Sequence, residues 1–160
     1  MNKIKIIEIF IIFIVGFLSG SLILANSAAI ELPALNYLFR NSTPAPLDHV
    51  AESNIKIYND RVIIYVNDAS LSSYASTGSM RPVLDEGSNG IRIKPQTEDE
   101  IQEGDIVTFR RNNLLIVHRV VEKGTDEEGF YFIAQGDNNS IADGKIRFND
   151  IEWKTIGVIY

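Results

Sequence analysis

The chain has 160 residues, room for one domain plus an appendage and enough to bury a core. Hydrophobic residues at 45% and charged residues at 22% exclude both a disordered chain and a polytopic membrane protein. A net charge of -6 without a basic stripe argues against a nucleic-acid partner. The lack of cysteine removes a thiol nucleophile, a Cys-ligated zinc site and any disulfide framework.

The first element is apolar. Ile9 to Ile30 carry no charge, and those 22 residues would span roughly 33 Å as a helix at ~1.5 Å per residue, enough to cross a bilayer core. The run is apolar on every face, which distinguishes it from a buried core helix. It is longer than the ~7–15 residues of a signal-peptide apolar region, so an anchor is expected over a cleaved leader, with "LANSAA" as the competing cut site. Lys3 and Lys5 precede the run, and the positive-inside bias then puts the N-terminus in the cytoplasm and the body of the protein outside. Residues 1–30 are read as cytoplasmic N-terminus and transmembrane helix. Residues 31–53, with Pro44 and Pro46, are read as an extended linker in which His49 is solvent-exposed.

From residue 54 the pattern is that of strands. "NIKIYNDRVIIYVND" predicts a hairpin turning at Asn59-Asp60, and "DIVTFRRNNLLIVHRVVEKG" predicts another turning at Arg111-Asn112-Asn113. "GFYFIAQGD" and "KTIGVIY" are two further apolar runs bounded by glycine and charge. "QTEDEIQEGD" reads as a solvated acidic loop and "EKGTDEEG" as a solvated turn. No amphipathic helix follows the apolar run. Residues 54–160 are therefore expected to form a mainly β, compact antiparallel domain.

Within that domain one serine stands out, Ser79 in "STGSMRP". Serine is a poor nucleophile until a base removes its proton. His118 in "LLIVHRVV" is the available histidine; strand alternation puts Leu114, Ile116, His118 and Val120 on one face, so its imidazole borders the core. A carboxylate that orients the imidazole is the third requirement, and "QGDNNSIAD" supplies two, Asp137 and Asp143; spacing alone does not choose between them.

"TGSMRP" at 77–82, "GDIV" at 104–107, "HRVV" at 118–121 and "GDNNSIAD" at 136–143 follow the motif order of type I signal peptidases. The sequence resembles the archaeal and endoplasmic-reticulum branch of that family, which uses histidine where the bacterial enzymes use a lysine. The resemblance implies Ser79 as nucleophile, His118 as general base and Asp143 as the third catalytic residue, with Asp137 supporting the site. It implies that Thr77 helps the Ser79 N–H form an oxyanion hole. It further implies a fold of the signal-peptidase type, a membrane-anchored serine endopeptidase at the outer face of the cell membrane, and exported preproteins as substrates. No metal or organic cofactor is expected, and the lipid bilayer is an expected partner; a complex with other secretion components is left undefined. The chain departs from the family in placing a hairpin between the apolar run and the serine, and in carrying Thr77 and Val83 where Ser and Thr are more usual. A narrow-specificity or self-processing protease of the same fold, and a non-catalytic binding module, are the alternative readings.

Overall fold

The computed structural model describes residues 43–160. The expected transmembrane helix lies outside the described residues. Among those residues the architecture is mainly β, with three single 3-10 turns and no α-helix. A separate two-stranded sheet pairs β1 (Ile55–Ile57) with β2 (Val62–Ile64). The main sheet holds β3 (Ser70–Ser73), β4 (Asn89–Ile93), β5 (Ile106–Arg111), β6 (Leu114–Asp126), β7 (Gly129–Gln135) and β8 (Ile151–Ile159). Its spatial order is β3-β4-β8-β5-β6-β7, with every pairing antiparallel.

Central β5 shows why the sheet is covered on both sides. Val107 and Phe109 lie in one core cluster with Ile101, Val120, Phe132, Ala134, Ile146 and Ile151, whereas the intervening Ile106 packs in a second cluster with Met80 and Leu84. Alternate residues of a strand point to opposite faces, so β5 is buried on each. The β5–β6 turn falls where the polar tripeptide predicts it. Asn112 and Asn113 both have positive φ, which matches the primed turns that fit the twist of a two-residue hairpin.

Three local expectations are corrected. β6 runs on to Asp126, so most of "EKGTDEEG" is strand and only Glu127-Glu128 form the turn. The cause is pairing: Lys123 and Gly124 lie opposite Phe132 and Tyr131 of β7, and a paired strand tolerates polar residues on its outer face. "QTEDEIQEGD" is not wholly solvated, because Ile101 and Asp105 are fully buried. β3 and β4 are strands that the sequence does not announce; their Ser- and Gly-rich stretches carry little β signal, and the pairing of β4 with β8 and of β3 with β4 stabilises them.

The linker stretch from residue 43 has no regular structure up to its first 3-10 turn, yet it touches the domain closely at Gly104. Gly104 has φ +97, and a Cβ there would lie 2.0 Å from the carbonyl oxygen of Ala45. Gly87 has a similar φ of +91, but a Cβ there would meet nothing within 4 Å. Gly87→Ala should therefore cost about 1 kcal/mol, the backbone term alone, while Gly104→Ala should cost about 2 kcal/mol or more because the linker must also move. Urea denaturation of the two variants checks this; equal losses would show that the contact with Ala45 contributes nothing.

Candidate active site

The site is built around two neighbouring residues of β6. His118 and Arg119 point to opposite faces of the strand, as consecutive residues must. Each grips an aspartate from the same following loop. His118 Nδ1 lies 2.6 Å from Asp143 Oδ2, and the side chains are 9% and 18% exposed. Arg119 donates from Nε and Nη2 to the two carboxylate oxygens of Asp137, both at 2.8 Å, and each of these side chains is 6% exposed. A third guanidinium bond runs from Nη1 to the Gly104 carbonyl, also 2.8 Å. The stretch from Asp137 to Asp143 therefore passes from one face of β6 to the other.

Backbone pairing fixes Asp143. Its N–H donates to the Ala134 carbonyl at 2.7 Å, and Ile146 bridges Phe132, so residues 143–146 run beside β7. His118 sits in that same core region, its ring 6.3 Å from the Phe109 ring. Phe109, opposite Ile116 on β6, walls the imidazole on its apolar side.

Ser79 is partly exposed and opens the turn after β3. Its Oγ lies 3.2 Å from Thr77 Oγ1, and its N–H points to the same oxygen at 3.4 Å. Gly78 between them has φ +72, a conformation that favours glycine. The loop at 136–139 abuts the serine. Asn138 donates its backbone N–H to the Ser79 carbonyl at 2.9 Å and its side-chain amide to the Gly78 carbonyl at 3.2 Å. A Cβ on Gly136 would lie 2.6 Å from the Ser79 carbonyl oxygen, so this approach requires glycine. Met80, 4% exposed, anchors the turn in the second core cluster, and its sulfur accepts the Asp137 N–H at 3.4 Å.

These contacts bring His118 to Asp143 and Thr77 to Ser79, and tie the serine turn to the loop that carries both aspartates. Among the described residues no hydrogen bond joins Ser79 to His118, and none engages His118 Nε2.

The second histidine corrects an expectation. His49 is not solvent-exposed: its side chain is 13% exposed and its Nε2 lies 2.6 Å from Oδ1 of fully buried Asp105. Its other nitrogen, Nδ1, is 3.2 Å from Lys154 Nζ, which also donates to the Glu100 carbonyl at 2.6 Å. Burial holds the Lys154 ammonium below the usual lysine value, opposed by the charges of Asp105 and Glu100. Both His49 nitrogens are therefore engaged, and this His–Asp pair is a fastening for the linker. Lys145 is bound to Asp126 near the far end of β6, and Lys94 is exposed, so neither is tied to the serine turn.

Sequence reasoning missed Arg119 and Asp105. Arg119 is a charge in the middle of "LLIVHRVV", and a buried cation in an apolar strand demands a partner. Asp105 lies in the quoted motif "GDIV", but a Gly-Asp pair there reads as an ordinary turn and suggests no role.

No family model matches the sequence. Over 69 residues the chain is 38% identical to Signal peptidase I W of Bacillus subtilis, a match that takes in 42% of this chain and 36% of that protein. The match supports the type I signal peptidase family. The matched stretch is about a third of the relative's own length.

The Arg119–Asp137 pair should behave as a buried ion pair. Arg119→Met or Asp137→Leu alone leaves an uncompensated charge and should cost about 3–5 kcal/mol, while the double variant should cost clearly less than the two together. Denaturant titration of the four proteins tests this; strict additivity would mean the pair is not coupled.

Proposed function

We propose that the protein is a membrane-anchored serine endopeptidase that removes signal peptides from exported preproteins on the outer face of the membrane, with Ser79, His118 and Asp143 as its catalytic residues. Signal-peptide processing rests on the match to Signal peptidase I W, and the Ser-His branch rests on the geometry around His118. The observation that carries the reading is the His118–Asp143 bond. It occupies Nδ1 and leaves Nε2 to take a proton, whereas His49 has both nitrogens engaged. Asp143 selects the tautomer with hydrogen on Nδ1 and stabilises the imidazolium once it forms.

In this reading His118 Nε2 accepts the Ser79 hydroxyl proton as Ser79 Oγ attacks the scissile carbonyl. The carbonyl oxygen becomes an oxyanion, and the Ser79 N–H and the Thr77 hydroxyl donate to it. In the free protein the Ser79 N–H donates to Thr77 Oγ1 at 3.4 Å, so the two groups are neighbours, and in this reading the N–H turns from that oxygen to the oxyanion. When the C–N bond breaks, His118 returns the proton to the leaving amine. Water, deprotonated by the same imidazole, then attacks the Ser79 ester and frees the acid product and the hydroxyl. An extended substrate segment pairs main chain to main chain along a strand edge, with shallow pockets for small side chains at the cut. Asp137 acts through Arg119 and the 136–139 loop and is a positioning residue.

Full-length protein in membranes, incubated with labelled preproteins and analysed by mass spectrometry, tests the reading. Ser79→Ala and His118→Ala should each lower cleavage about 10³-fold or more, and the double variant should be little worse, because the two act as one unit. Asp143→Asn should lower the rate by about 10²–10⁴ with the fold intact. Substantial turnover by His118→Ala would overturn the assignment of the base.

A further inference from the structure

The linker meets the domain at Gly104 and Asp105, and the carbonyl between them is an acceptor for Arg119. Ala45 lays its carbonyl oxygen on Gly104, where a Cβ would come within 2.0 Å of it. His49 Nε2 holds Asp105 Oδ1 at 2.6 Å, and the Gln102 N–H donates to the other carboxylate oxygen at 3.0 Å. Asp105 is fully buried, and a buried carboxylate stays in place only where it is hydrogen-bonded or paired. The Gly104 carbonyl and the Asp105 N–H belong to one planar peptide unit, so whatever fixes the Asp105 end also aims that carbonyl. Arg119 Nη1 donates to it at 2.8 Å. Gly104, at φ +97, has the backbone freedom of glycine, so the aim of its carbonyl depends on these outside contacts.

We propose that His49 is a positioning residue for the serine site. Held on Asp105, it fixes the 104–105 peptide unit, and with it the acceptor that keeps the Arg119 guanidinium aligned on Asp137. The inference rests on the functional reading above for what the site does. The contacts from linker to serine are continuous. Arg119 Nε and Nη2 hold Asp137 at 2.8 Å, the Asp137 N–H reaches the Met80 sulfur at 3.4 Å, and the Asn138 N–H donates to the Ser79 carbonyl at 2.9 Å. Backbone bonds stiffen the middle of the path: the Gly104 N–H donates to the Val120 carbonyl and the Val120 N–H to the Asp105 carbonyl, both at 2.8 Å. A guanidinium is a rigid planar fork. A turn of the 104–105 peptide unit that costs Nη1 its acceptor therefore also rotates the edge that grips Asp137.

A plain anchor for the linker, with no bearing on the site, fits less well. Anchoring needs only contact at the rim of the domain. Here the histidine reaches a fully buried carboxylate in the turn leading into β5, and its other nitrogen lies 3.2 Å from Lys154 Nζ. The linker thus completes an interior hydrogen-bond network, in which each member depends on the others. Losing His49 leaves a buried charge short of a partner, and the turn must shift to find another.

The test uses the full-length protein in detergent micelles with His49→Leu, His49→Asn and His49→Gln. Leucine removes both polar atoms, asparagine stays polar but stops short of Asp105, and glutamine places an amide N–H near the Nε2 position. The readouts are kcat and KM for preprotein cleavage, the rate at which a fluorophosphonate labels Ser79, and hydrogen exchange of the Arg119 Nε–H. The exchange is followed by NMR with isotope-labelled arginine, the signal being assigned by its loss in Arg119→Lys. His49→Leu and His49→Asn should lower kcat and Ser79 labelling together by about tenfold or more, with KM changed by less than about twofold. Exchange at Arg119 should quicken in the same variants, and His49→Gln should recover most of each loss. Gly87→Ala, which loosens the fold elsewhere, should leave all the readouts near wild type. Should His49→Leu fail to fold, the comparison of His49→Asn with His49→Gln decides. Unchanged labelling and exchange in folded His49→Asn, a His49→Gln no better than His49→Asn, or an equal loss in Gly87→Ala would each overturn the proposal. Cleavage at the wild-type rate in every His49 variant removes the positioning role and leaves the peptidase standing. A wild-type protein that cleaves no preprotein, while labelling and exchange still follow His49, does the reverse.

Discussion

Arg119 is the constraint around which this molecule is arranged. An arginine 5% exposed in the middle of an apolar strand has to be neutralised and its donors satisfied, or the strand cannot stay where it is. Asp137 takes the charge through two bonds and the Gly104 carbonyl takes a further donor. That one requirement fixes the loop after β7 in position and orientation. The loop in turn holds the serine turn, through Asn138 on the Ser79 and Gly78 carbonyls and through Met80 on the Asp137 N–H. The same loop returns on the other face of β6 to present Asp143 to His118. A charge with no direct part in chemistry thus sets the distance between the groups that would carry it out.

The two histidines show how one residue pair takes different roles. Both have an aspartate oxygen at 2.6 Å, and both are largely buried. The difference lies on the far nitrogen. For His49 it meets the Lys154 ammonium, itself held by the Glu100 carbonyl, so the imidazole closes a chain of hydrogen bonds and fastens the linker to the domain. For His118 the far nitrogen has no such partner among the described residues, which leaves it open to the role of base proposed for it. In the proposed reading, geometry at the second nitrogen separates a fastening from a base.

The sequence is most legible where one interaction decides the structure. Tandem asparagines between two apolar runs dictate a tight hairpin, and alternation puts His118 on the core side of β6. It is least legible where tertiary pairing decides. β3 is Ser-Leu-Ser-Ser and has little strand propensity; it forms because β4 offers an edge. The polar end of β6 reads as a turn, yet its main chain is paired to β7. His49 misleads for a related reason. A histidine shortly after two prolines gives no local sign that a buried carboxylate waits 56 residues further on. The choice between Asp137 and Asp143 is likewise open to spacing alone, and it takes the partners, an arginine for one and a histidine for the other, to tell them apart.

The central claim is that Ser79 Oγ is made nucleophilic by His118. Its most direct measurement is covalent: the full-length protein in membranes is treated with a peptide boronate or fluorophosphonate, digested, and mapped by mass spectrometry. The account predicts a single adduct on Ser79 that is lost in His118→Ala while the folded domain is retained. An adduct on another residue, or undiminished labelling of Ser79 without His118, would contradict it.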